Sequence, residues 1–194
     1  MSYSVYFTNY TIGEDAYEHV NEVCSRFGSR ALLIGGELAL KAGKEKLLQA
    51  LKNTDSASPV TILDTVLFGT DCTYRRMDEL AAIAKELHAD MIFGMGGGKA
   101  LDTAKGTAEK AGLPVFTFPT IAATCAATTA LSVVYKEDGN FDSFYFFDKP
   151  ARHSFINTEI IAQAPERYLR AGIGDTLGKY FECHFAARGD KLQH

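Results

Sequence analysis

No run in the 194 residues approaches eighteen apolar side chains, so no segment is expected to span a membrane. The four cysteines, Cys24, Cys72, Cys125 and Cys183, stand far apart without a C-x-x-C pair. That spacing suggests neither a zinc knuckle nor a disulfide framework, and a reducing cytoplasmic setting is the simpler expectation. A basic cluster is also missing: 20 Lys and Arg face 24 Asp and Glu, a net charge of -4, which argues against a nucleic-acid partner. Any phosphate must therefore be handled locally. Met1-Ser2-Tyr3-Ser4-Val5 has neither the basic segment nor the apolar stretch of a leader. Asn9-Tyr10-Thr11 and Arg188-Gly189-Asp190 then count as accidental matches to a glycosylation sequon and an adhesion tripeptide.

An apolar share of 46% is ample for a core. Tyr17, Val20, Cys24 and Phe27 recur at threes and fours, which predicts a helix over Asp15 to Phe27, stopped by Gly28. Strand-like runs follow at Ala31 to Ile34, Val60 to Phe68, Ala89 to Phe93 and Pro114 to Phe118. Between them lie helical patterns at Leu38 to Leu51, Tyr74 to Leu87 and Ala100 to Ala111, and a polar loop from Asn53 to Pro59. Such alternation implies a parallel sheet with helices on both faces, and ligands on these sheets bind beyond the carboxyl ends of the strands. Leu131 to Tyr135 and Phe141 to Phe147 flank Lys136-Glu137-Asp138-Gly139-Asn140 as a hairpin, and His153 to Asn157 is one more strand. With Asn157 or Thr158 as a cap, a helical turn at Glu159 to Ala164 precedes a longer helix from Pro165 to about Ala187. Its apolar positions Leu169, Ile173, Leu177, Phe181 and Phe185 form a stripe expected to be buried. Val5 to Asn9 is a possible edge strand. The fold class is α/β, a Rossmann-like parallel sheet with a hairpin over residues 1–158, followed by the beginning of an all-helical second domain over 159–194.

The stretch from Gly94 to Lys105 stands at the centre of this order. A strand that runs into Gly96-Gly97-Gly98 and feeds a helix leaves backbone N–H groups bare where the helix dipole is positive, an arrangement suited to phosphate. Lys99 adds a point charge. A dinucleotide fingerprint needs glycine where Lys99 stands, and a Walker loop needs Ser or Thr where Ala100 stands. Both generic readings fail, and a glycine-rich turn without a ligand is the remaining generic alternative.

What is left, Gly-Gly-Gly-Lys-x-x-Asp-x-Ala-Lys after a strand, resembles the phosphate loop of the iron-containing alcohol dehydrogenase and glycerol dehydrogenase family. Two further segments carry the resemblance, Pro119 to Tyr135 and Ala171 to Glu182. It implies NAD(H) or NADP(H) contacts from Gly96, Gly97, Gly98, Lys99 and Asp102, and nicotinamide-side contacts from Thr120, Ala123, Thr129, Leu131 and Tyr135. It also implies that Asp175 ligates a divalent zinc or iron. In the complete enzyme that metal would polarise a substrate oxygen while the nicotinamide accepts hydride. By spacing alone, Asp175 is equally an exposed carboxylate at a glycine-loosened helix start, beside Gly172, Gly174 and Gly178.

Three positions depart from the family. Cys125 stands where glycerol dehydrogenases carry a substrate-binding aspartate, which weakens the case for glycerol and favours an anionic 2-oxo or 2-hydroxy acid; a buried apolar cysteine is the plain alternative. Gly36 replaces the aspartate that holds the adenosine ribose, with only Glu37 beside it, so NADP(H) stays open as well as NAD(H). Lys179 occupies the place of a histidine ligand in the long-chain branch, and neither His184 nor His194 matches a ligand position. The expectation is an oxidoreductase acting on a small alcohol, polyol or hydroxy acid, present here as its nucleotide-binding half and inactive alone. A dinucleotide-binding fragment without turnover and a dehydroquinate synthase-like lyase are the alternatives. An exposed apolar face would favour a homo-oligomer.

Overall fold

The computed structural model of the chain describes residues 7–53 and 59–190, with side chains to residue 186. Six parallel strands form one sheet: β1 (Asn9–Gly13), β2 (Arg30–Gly35), β3 (Thr61–Leu67), β4 (Met91–Gly96), β5 (Val115–Pro119) and β8 (His153–Asn157). Their order is β1-β8-β5-β4-β2-β3. The remaining two strands, β6 (Leu131–Tyr135) and β7 (Phe141–Phe146), pair antiparallel as the expected hairpin. Its turn closes through Lys136 N–H to Asn140 O at 2.8 Å, with Gly139 at φ 82°.

Alternation along the strands sorts the core into two layers. Leu33, Phe93, Phe116, Phe118 and Phe155 face one way, under α1 (Val20–Cys24), α2 (Glu37–Lys52) and α5 (Thr158–Ala162). Leu32, Ile34 and Ile92 face the other way, under α3 (Tyr74–Glu86) and α4 (Gly98–Ala111). Phe118 is the hub of the first layer, with ring centroids 5.4 Å from Tyr17, 5.0 Å from Phe93 and 5.1 Å from Phe155. Helix starts are capped where the sequence allows it. Thr73 accepts from Arg76 N–H at 3.2 Å for α3, and Asn157 accepts from Ile160 N–H at 3.1 Å for α5. Gly112 ends α4 in the left-handed region, at φ 70°.

Four expectations need correction. The helix at Asp15 to Phe27 is broken into α1 between two 3-10 turns, Ala16–His19 and Ser25–Phe27; the inward residues keep their three-and-four spacing, which both helix types satisfy. The strand before the glycines runs on to Gly96, because Gly94, Met95 and Gly96 are in register with Thr117, Phe118 and Pro119 of β5. The bare turn is thereby shortened to Gly97, and α4 starts at Gly98. The edge strand lies at Asn9–Gly13, held to β8 from Asn9 opposite His153 to Gly13 opposite Asn157; Val5 and Tyr6 lie outside the described residues, as does most of the polar loop after Asn53.

The fourth correction concerns α6 (Glu166–Asp190), whose apolar stripe is exposed. Leu169, Ile173, Leu177, Phe181 and Phe185 show between 52% and 67% of their surfaces. β8 is the last strand in the chain before this helix, and only the loop after β5 approaches the stripe among the described residues, leaving it more than half exposed.

Candidate nucleotide-binding site

The chain leaves β2 for β3 on one side of the sheet, then returns to β4 and β5 on the other. The strand order therefore reverses between β2 and β4, where ligands of open α/β sheets bind. A cavity of about 650 Å³ opens there, lined by Gly36 and Glu37 at the start of α2, by Gly96 to Ala100, by Thr120 and Ile121, and by the α5–α6 connection. Helix α4 points its N-terminus into it, and the first-turn N–H groups have no acceptor inside the helix. Gly96 sits at φ 153°, and a Cβ there would meet the Ala100 Cβ at 2.8 Å. Only glycine lets β4 end this close to the helix it feeds.

Of the residues expected around a dinucleotide, the structure brings Gly36, Gly96, Gly97, Gly98, Lys99 and Thr120 to this cavity. Thr120 is buried, with its N–H on Gly96 O at 3.2 Å. The Lys99 head turns aside: it pairs with Asp71 and lies 5.0 Å from the centre of the Tyr135 ring. Its charge is therefore shared between the cavity rim and a carboxylate, and the backbone carries more of the anion-binding character than the sequence suggested.

Asp102 is not on the cavity. Its buried carboxylate meets Lys105 Nζ at 2.9 Å and accepts from Val133 N–H at 3.1 Å, beneath the hairpin. Burial pushes the Asp102 carboxyl up and the Lys105 ammonium down, and each charge offsets the shift of the other. Thr129 and Leu131 also meet Lys105, through the Thr129 carbonyl at 3.3 Å, its hydroxyl at 3.1 Å, and the Leu131 carbonyl. Lys105 belonged to the glycine motif, yet its role was missed. The (i, i+3) spacing from Asp102 was the available signal.

A second hollow, of about 480 Å³, is lined by Ala122, Thr124 and Cys125 from the loop after β5 and by Leu169 to Lys179 of α6. It brings Cys125 and Asp175 together. Ala123 lies at its edge, where an added Cβ on Gly172 would come within 1.9 Å of Ala122 O and 3.3 Å of Ala123 Cα. One of the three helix glycines is thus explained by a close approach, while Gly174 and Gly178 face open space. Thr124 stands between the two hollows, its Oγ1 3.4 Å from where a Gly98 Cβ would be. Cys125 is an exposed free thiol, so it is no apolar filler. Asp175 is exposed and bonded to Lys179 Nζ at 2.6 Å. That hydrogen bond raises the Lys179 pKa. His184 stacks on Tyr180, and His194 lies outside the described residues.

Residues 8–154 match the family described as iron-containing alcohol dehydrogenase. The chain belongs to that family. A glycerol dehydrogenase of Escherichia coli O6:H1 is 34% identical over 179 residues, which cover 92% of this chain and 47% of the relative. Hydroxycarboxylate dehydrogenase A of Escherichia coli K12 is 40% identical over 155 residues, 80% of this chain and 41% of the relative. Among solved structures, the glycerol dehydrogenase of Schizosaccharomyces pombe superposes with a TM-score of 0.81 at 27% identity, covering 93% of this chain and 45% of that one. The chain spans about half the length of the curated relatives it matches.

The metal that an iron-containing family implies needs several donors, three in a typical catalytic zinc site. Among the described residues no three His, Cys, Asp or Glu side chains converge, and Asp175 spends its carboxylate on Lys179. The described residues do not by themselves fit a metal.

Proposed function

We propose that the chain is the nicotinamide-dinucleotide-binding part of an oxidoreductase acting on a small alcohol, polyol or 2-hydroxy acid. The observation that carries this reading is the cavity at the strand-order reversal, with the N-terminus of α4 and the glycines of β4 on its floor. Its volume suits a cofactor. The N–H groups of Gly98 and Lys99 would hold the pyrophosphate, and Gly36 with Glu37 would meet the adenosine ribose. A carboxylate at Glu37 can accept from ribose hydroxyls and repels a 2′-phosphate, which favours NAD(H) over NADP(H). Bound nicotinamide supplies hydride transfer.

The ring end would extend past Thr120 toward Ala123 and the Thr129 to Tyr135 segment, bringing its substrate to the hollow that holds Cys125 and Asp175. A thiol at Cys125 adds no negative charge there, so a 2-oxo or 2-hydroxy carboxylate is tolerated as well as a neutral diol. The described His, Cys, Asp and Glu side chains do not form a metal site.

Calorimetric titration of the purified 194-residue chain with NADH and NADPH tests this reading. Saturable binding, tighter for NADH and weak in absolute terms, is expected, with no turnover of glycerol or of a 2-oxo acid. No association with either nucleotide overturns it; steady turnover by the chain alone overturns the claim that it is only part of the enzyme.

A further inference from the structure

The least accessible cation in the described chain is Lys105, whose side chain is 1% exposed. An ammonium has three N–H donors, and here five oxygens crowd round it. They are Asp102 Oδ1 at 2.9 Å, Ala126 O at 2.8 Å, Thr129 Oγ1 at 3.1 Å, Thr129 O at 3.3 Å and Leu131 O. Four of the five come from residues 126–131, the end of the loop after β5 and the first residue of β6. Asp102 extends the same junction. Its carboxylate takes Val133 N–H, and its carbonyl accepts from Ser132 Oγ at 2.8 Å. Helix α4 is thus bolted to the loop and to the first strand of the hairpin by two residues, three and six places after Lys99.

Burying such a pair is costly, and pairs of this kind often add nothing to stability over apolar residues of the same volume. Something other than stability is therefore the better account of the arrangement. The helix that carries the bolt also presents the anion-binding turn, and the loop it holds carries Thr129 and Leu131. We propose that Lys105, with Asp102, is a positioning residue that fixes the distance and angle between the phosphate-binding end of the dinucleotide site and its nicotinamide end. The inference rests on the reading of the cavity given above. Lys105 touches no nucleotide; it acts through the loop carbonyls. Its effect should fall on the half of the ligand that reaches the loop and spare the half that sits on the glycines.

Two ligands separate those halves. ADP occupies only the adenosine and phosphate end, whereas NADH adds the nicotinamide riboside. In the unaltered 194-residue chain NADH should bind more tightly than ADP. In Lys105→Met the ADP affinity should stay within twofold while NADH affinity falls about tenfold, so that the two ligands bind nearly alike. Hydrogen exchange of the ligand-free variant should quicken at residues 126–133 and stay unchanged at the start of α4. A merely structural role would instead lower both affinities together and leave their ratio unmoved, and that result overturns the inference. If neither ligand binds the unaltered chain, the reading of the cavity fails and this inference with it. Should Lys105→Met not fold because Asp102 is left unpaired, D102N/K105M removes both charges and is read in the same way. Failure of both variants to fold makes the pair structural and overturns the proposal.

Discussion

Helices α4 and α6 both start beside the loop after β5, and their surroundings could hardly differ more. Every residue of α4 from Ala100 to Ala108 is buried, since the sheet covers one side and α3 and the hairpin cover the other. Polar side chains at its centre are therefore forced to find partners, and Asp102 and Lys105 find each other. The 25 residues of α6 carry an apolar stripe as regular as any in the chain, but it faces outward. Regular amphipathic spacing shows that a face expects a cover; it does not say that the same chain supplies one. The sheet and its flanking helices should therefore be energetically self-sufficient, and α6 should add little to them.

Removing an aromatic ring from each region gives the largest contrast. Phe118→Ala empties a site with no exposure, in contact with three other rings, and should cost about 3–5 kcal/mol in urea denaturation. Phe181→Ala on α6 should change the midpoint by no more than about 0.5 kcal/mol. Equal losses would mean that α6 packs in solution as firmly as the sheet.

Glycines sharpen the same comparison at a smaller scale. Gly96→Val places branched carbons against the Ala100 Cβ at a backbone angle that valine resists, a cost of about 1–3 kcal/mol. It also narrows the turn, so NADH affinity should fall about tenfold in a fluorescence titration. Gly174→Ala meets open space in a helix interior and should raise stability by up to about 1 kcal/mol. The two substitutions should move Tm in opposite directions.

Charge gives a third contrast, between Asp90 and Asp175. Asp90 accepts from the Ser29 and Arg30 N–H groups, each at 3.0 Å, and meets the Arg30 guanidinium at 2.8 Å. The guanidinium hydrogen bond and these N–H groups hold its carboxyl at about 2. Since the folded pKa is depressed, this contribution is fully present above the ordinary carboxylate value and is lost as pH falls from about 4 toward 2. Asp90→Asn should cost about 1 kcal/mol at neutral pH, discounted for solvent screening, and should flatten the acid limb of the Tm profile. Asp175→Asn, which removes only an exposed pair with Lys179, should change the unfolding free energy at neutral pH by no more than about 0.5 kcal/mol.

The legible parts of the molecule are those where local pattern and long-range pairing agree. Strands β2, β4 and β5 with helices α3 and α4 followed directly from apolar spacing, and the hairpin followed from its turn residues. The apolar run marks the strand only to Phe93 because glycine disfavours strand, but Gly94 and Met95 pair with both β2 and β5, and Gly96 with β5, which overrides that preference. Asn9–Gly13 was passed over since it pairs on one side only and hides little of its surface. At the site, Gly36 and Gly96 to Lys99 could be placed together because each follows a strand at the same sheet end. Three of the five oxygens around Lys105 could not be foreseen: they are carbonyls 21 to 26 residues away, and carbonyls leave no mark in a sequence.

The smallest effect on folding should accompany the clearest effect on assembly. Ile173, Leu177 and Phe181 occupy one side of α6 at successive four-residue steps, each more than half exposed. Contiguous apolar surface of this kind drives association when water is the only alternative. The 194-residue chain should accordingly sediment as a species heavier than a monomer, with a mass that rises with concentration. Replacing the three residues with glutamine removes the centre of the apolar stripe and keeps good helix formers, since Gln exceeds Ile and Phe in propensity and is close to Leu. Because the stripe covers no part of the sheet, the unfolding free energy at low concentration should move by no more than about 0.5 kcal/mol. Sedimentation of this variant as a monomer, with its NADH affinity unchanged, would separate the helix that awaits a cover from the sheet that binds the nucleotide. If the variant unfolds, or if the unaltered chain is already monomeric at high concentration, α6 finds its cover within the chain and the contrast with α4 is lost.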